Sequence, residues 1–168
     1  MLKSQVGIAD KVSLGIGKGL QSGIGLVGNF KADLFDVNGN LKDTREIHNV
    51  DTTLCHAMVA NNVSGSPSVP APGWMELGTG SGQADSDTIL DAYISGSRTA
   101  LTSSIASAAV LTMICTFGAG VGTGAVTEAG IFNVVTENTT QLMTYSSFSV
   151  INKAAGDSLV VTWTLTFS

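Results

Sequence analysis

The stretch from Ser158 to Phe167 constrains the fold more than any other. Leu159, Val161, Trp163, Leu165 and Phe167 alternate with residues that include Thr162, Thr164 and Thr166. Five matches to a period of two put the apolar side chains on one face of an extended strand and the threonines on the other. A helix would scatter the same residues around its circumference. A strand with one apolar face must bury it against another layer, so the chain reads as a multi-strand β protein.

The same signal recurs upstream, punctuated by turn residues. Ala109 to Phe117 reads as a strand with Leu111, Met113, Cys115 and Phe117 on one face. Arg98 to Ile105, Val126 to Val134 and Leu142 to Ile151 read as further strands, the last with a bulge where alternation slips at Ser146-Ser147. Trp74 to Leu77 leads into the glycine loop Gly78 to Gly82, and Gly118 to Gly124 is a turn. Asn38-Gly39 predicts a hairpin with a two-residue type I′ turn. Counting back from it sets Lys31 opposite Glu46 and Phe30 opposite Ile47, a favourable charge pair beside an apolar pair. Leu34 opposite Asp43 fits less well, which leaves a longer loop open. The second hairpin strand, Leu41 to Val50, is polar enough for an exposed edge. One short helix is expected from Asp51 to Val63, capped by Asp51 or Thr52, with Leu54, Ala57, Met58 and Ala60 as its apolar stripe. Ser64 to Gly73 carries three prolines and reads as a loop. Asp85 to Tyr93 has room for a helical turn. The expected architecture is all-β: a jelly-roll-like β-sandwich over residues 29–168 with one short helix.

Residues 1–28 stand apart. They hold seven of the twenty glycines, interleaved with Val12, Leu14, Ile16, Leu20, Ile24 and Leu26. That much glycine opposes a helix and leaves little side-chain mass for a core. The segment reads as an extended N-terminal arm, its six apolar residues the candidates for contact with a partner chain or a neighbouring subunit.

Charge narrows the function. Charged residues are only 12% of the chain, and the net charge is −5. The polar surface falls to 18 serines and 18 threonines, which suit the solvent face of strands. Eight scattered Lys and Arg make no basic patch for nucleic acid. No window is long and apolar enough for a membrane span, and Asp10 and Lys11 interrupt any signal-peptide core.

No spacing that supports catalysis or a cofactor emerges. His48 and His56 form no His-Glu-x-x-His pair, and Cys55 and Cys115 read as buried free thiols. Cys55 and His56 are neighbours on the expected helix and point apart. Gly15-Ile16-Gly17-Lys18-Gly19 lacks the spacing of a phosphate loop. Asp85, Asp87 and Asp91, like Asp36 to Asn40, offer oxygens for calcium but read better as turn and cap residues. Glu128 lies inside an apolar strand and needs a partner there, for which Arg98 is the candidate. No metal, cofactor or catalytic residue is assigned.

One ordered series of motifs carries a resemblance. It runs Glu76-Leu77-Gly78-Thr79-Gly80, Ala84, Asp87-Thr88, Leu90, Arg98 and Thr116-Phe117. It continues through Thr127-Glu128-Ala129-Gly130-Ile131-Phe132-Asn133, Phe148, Ile151-Asn152-Lys153 and Asp157 to Trp163. Over about residues 74–167 this resembles small proteins encoded among the virion genes of tailed bacteriophages, some of them similar to capsid cement (decoration) proteins. The resemblance implies a non-enzymatic homotrimer on the outer surface of the capsid, assembled in the host cytoplasm. It would bind the major capsid protein and stabilise the expanded, DNA-filled head, with a terminal arm clamping neighbouring subunits. The alternatives are a baseplate, tail-fibre or connector module of the tail and, from another class, a carbohydrate-binding module or glycan-cleaving enzyme.

Overall fold

The computed structural model describes residues 25–65, 68–82 and 84–168. Along the chain run β1 (Leu26–Phe35), β2 (Leu41–His48), β3 (Val50–Asp51), α1 (Thr53–Val63), β4 (Trp74–Gly78) and β5 (Thr99–Ala100). Then come β6 (Ser103–Ser107), β7 (Val110–Phe117), β8 (Gly124–Phe132), β9 (Leu142–Lys153) and β10 (Ser158–Phe167). They make two five-stranded antiparallel sheets, β2-β1-β10-β7-β6 and β3-β9-β8-β4-β5. The mostly-β expectation with one short helix holds. Consecutive strands enter a sheet as hairpins (β1–β2, β6–β7 and β8–β9), whereas a jelly roll mostly alternates between sheets, so the jelly-roll path is not followed.

The strongest period-two segment, β10, sits mid-sheet between β1 and β7, where both backbone edges are paired. Its Leu159, Val161, Trp163 and Leu165 are buried in one core that draws side chains from both sheets. Phe30 of β1 is the joint. Its ring stacks on Phe148 of β9 at 4.9 Å and meets Trp163 edge-on at 5.0 Å, distances at which aromatic pairs attract beyond simple burial.

Several local expectations change. β1 begins at Leu26, so the last three residues assigned to the arm belong to the sheet, with Leu26 opposite Phe167 and Gly28 opposite Leu165. Ladder hydrogen bonds come from the backbone, so glycine joins a strand wherever a long partner such as β10 is available. The β1–β2 register is as read, including Leu34 opposite Asp43, but the turn is not type I′. Only Gly39 has positive φ (82°), the Gly39 amide donates to Asp36 O, and the Asp36 amide donates to Asn40 O. That is a three-residue loop with a bulge, held by the Asp36 carboxylate accepting from the Asn38 and Asn40 amides.

The expected strand from Arg98 to Ile105 is two strands. Thr99–Ala100 pairs with β4, whereas Ser103–Ser107 pairs with β7 in the other sheet, so the chain changes sheets at Leu101-Thr102. Asp85 to Tyr93 holds turns and an isolated bridge, Gly78 to Tyr93, in place of a helical turn. The bulge expected at Ser146-Ser147 lies just beyond: Glu128 faces Ser147 but Val126 faces Ile151, leaving 148–150 opposite Thr127 alone. Arg45 of β2 donates to the carbonyls of Ser149 and Val150 there, supplying donors where the ladder is interrupted.

Thr52, the N-cap of α1, is buried. Its hydroxyl accepts from the Cys55 amide at 3.4 Å and bonds the Leu142 and Met143 carbonyls at 2.7 and 2.9 Å. The helix docks on β9 through Cys55 and Met58 against Met143, a second small cluster. The buried stripe is therefore Cys55 and Met58, while Ala60 of the expected stripe is exposed.

Candidate functional site

Two places gather polar or exposed apolar groups: a buried acid cluster beside the glycine loop after β4, and an apolar groove along α1. The cluster is built from the strands outward. Glu128 on β8 is fully buried. Its Oε1 accepts from the amides of Gly80 at 2.9 Å and Ala92 at 2.8 Å, and its Oε2 accepts from the Asp91 amide at 3.2 Å. The neighbouring Thr127 hydroxyl donates to Gly80 O at 2.7 Å. One carboxylate thus ties the glycine loop to the segment that returns past it. Gly78 and Gly80 are glycine for want of space, because a Cβ at either would collide with that carboxylate.

The expected Glu128–Arg98 pair does not form. Arg98 lies beside Glu76 of β4, with Nη2 3.0 Å from Glu76 Oε2 and both side chains buried. Nη1 donates to Val134 O at 2.8 Å, and the guanidinium carbon sits 3.5 Å from the Phe132 ring centre. Burial pushes the Glu76 carboxyl above its ordinary value, against the opposing pull of the Arg98 hydrogen bond and charge. Glu137 completes the cluster by accepting from the Gly96 and Arg98 amides. Arg98 was assigned to the wrong acid because alternation shows which residues face inward but not which inward residues meet. Glu76 was missed, although an acid between Met75 and Leu77 is the same kind of signal as Glu128.

The remaining acids serve turns. Asp87 accepts from the Ala84 amide at 2.7 Å, and Asp91 from the Ser81 amide at 3.4 Å. Among the described residues no group of three or more His, Cys, Asp or Glu is placed to hold a metal ion. Cys55 and Cys115 are buried free thiols, both pushed up to about 12 by burial, which keeps them protonated and poor nucleophiles. Cys55 faces the small core, whereas His56 lines the groove.

That groove, of about 560 Å³, is lined by Leu26, His56, Val59, Ala60, Val63, Ser64 and Phe167. It lies where the chain enters the first sheet, with Gly25 and Ser168 exchanging backbone hydrogen bonds beside it. Of the arm residues singled out from sequence, Leu26 lines this groove. Val12, Leu14, Ile16, Leu20 and Ile24 fall outside the described residues. The sequence reads Phe167 as facing the core and does not single out Val59 or Val63 for contact, because which apolar side chains stay uncovered shows only once their neighbours are known. No helix among the described residues is long and apolar enough to cross a membrane. No protein family, curated protein or solved structure matches the chain.

Proposed function

We propose that this chain is a structural virion protein of a tailed bacteriophage, a cement (decoration) protein on the outer surface of the capsid. In this reading the two sheets form a β-sandwich, the protein is a homotrimer, and its partner is the major capsid protein. Residues ahead of Gly25 reach onto neighbouring subunits. The observation that carries the reading is the use made of the residues bearing the resemblance. Glu128 accepts from the Gly80 and Ala92 amides, Gly78 leaves room for its carboxylate, and Arg98 pairs with buried Glu76, contacts that fasten loops to strands. Their chemistry is spent on rigidity, which suits a load-bearing binder that turns over no substrate. The apolar groove beside Gly25 gives the arm an anchoring point at its root.

Trimerisation makes the second and third attachments intramolecular, and avidity can then exceed a single contact by about 10²–10⁴. Copy number and position in purified particles test the proposal. A cement protein is expected at a stoichiometry comparable with the capsid subunit and as density over the shell in electron cryo-microscopy. A handful of copies confined to the tail would instead identify a baseplate, fibre or connector module.

A further inference from the structure

The first sheet ends in two very different edges. β2 carries Lys42, Asp43, Arg45 and Glu46, the charges by which natural sheets discourage edge-to-edge pairing. β6 at the other edge reads Ser-Ser-Ile-Ala-Ser and has neither charge nor proline. It lies within a run of 29 residues, 99 to 127, without one Asp, Glu, Lys, Arg or His. Four of its five residues are exposed, Ile105 at 62%, and among the described residues it pairs only with β7.

We propose that β6 is a strand-pairing surface whose partner is β6 of a second copy, joined antiparallel across a two-fold axis at Ile105. Ser107 and Val110 flank the two-residue turn Ala108-Ala109, in which Ala108 has φ 50°. Residues flanking such a turn form a hydrogen-bonded pair, and pair types alternate along the ladder, so Ser107 and Ile105 bond towards β7. The backbone groups of Ser104 and Ala106 then point to the open edge. Symmetric pairing sets Ser104 against Ala106, Ser103 against Ser107, and Ile105 against itself. No like charges meet, and an exposed apolar side chain covers its own copy. A charged edge and an uncharged edge thus bound the same sheet, and the pairing at β6 is independent of the capsid reading.

Sedimentation of the full chain over a concentration series, combined with cysteine cross-linking, tests the proposal. Ile105→Lys is expected to halve the mass of the associated species, whether that is dimer to monomer or a pair of trimers to one trimer. Opposed Cβ atoms in such a pair lie roughly 4.5–5.5 Å apart, close to disulfide range. Ile105→Cys should therefore form a disulfide-linked pair under mild oxidation. Ser103→Cys alone should not, and the double variant Ser103→Cys/Ser107→Cys should. The native thiols are buried and do not interfere. An unchanged mass for Ile105→Lys overturns the proposal, as does cross-linking by Ser103→Cys alone at the level of Ile105→Cys. Loss of association without any Ile105→Cys cross-link would mean that β6 takes a different strand, and would equally overturn it.

Discussion

Glu128 shows how one side chain can fix two loops. Among the described residues its carboxylate accepts from three backbone amides, those of Gly80, Asp91 and Ala92. Removing a buried acceptor costs about 1–3 kcal/mol for each donor left unsatisfied. Glu128→Ala should therefore lower stability by at least about 3 kcal/mol in equilibrium denaturation, with hydrogen exchange rising first at those three amides. A loss below about 1 kcal/mol would mean that the loops hold without it. The sequence marked Glu128 as an acid in need of a partner, because an apolar strand surrounds it. It did not reveal the partners, among them backbone amides 36 to 48 residues away. Every non-proline residue has such an amide, so none is distinctive in a sequence.

Between elements, polar side chains do the fastening. The turn between β9 and β10 is clamped from several sides. Lys42 of β2 reaches Asp157 at 2.6 Å, the Ala154 amide donates to the same carboxylate at 3.0 Å, and buried Lys153 donates to Asp157 O at 2.7 Å and Gly118 O at 2.9 Å. The hydrogen bond from Lys42 leads the causes that hold the Asp157 carboxyl below its ordinary 3.8. A carboxyl lowered by folding contributes stability at pH above 3.8, and the contribution is lost as pH falls through the lower, folded value. The melting temperature of Asp157→Asn should thus lie below that of the parent at neutral pH, and the gap should close at strongly acid pH. A gap independent of pH would show that the carboxylate charge contributes nothing. The strand expected from sequence stops at Ile151, short of Lys153, and the carbonyls that Lys153 serves belong to two separate turns.

Across the whole molecule, stability rests on the core shared by both sheets. Trp163 and Phe30 from one sheet meet Phe148 from the other, and Trp163 is fully buried. Trp163→Ala should cost about 3–5 kcal/mol, a transfer loss plus a cavity. In guanidinium unfolding the midpoint should fall while the slope stays unchanged. A smaller loss accompanied by a changed slope would indicate that the sheets unfold separately.

The sequence by itself determined that the chain is mostly β with one short helix, which residues of β7 and β10 turn inward, and the β1–β2 register. These follow from a two-residue side-chain period and from one turn, both properties of neighbouring residues. Only the tertiary structure decided where the chain changes sheets at Leu101-Thr102, which acid Arg98 meets, and that Leu26 to Gly28 join a strand. It also decided that one sheet edge is charged while the other is bare. Those outcomes depend on which distant backbone supplies hydrogen-bond partners and which inward side chains share a layer. A period of two fixes the face a side chain takes, but not the strand that comes to lie beside it.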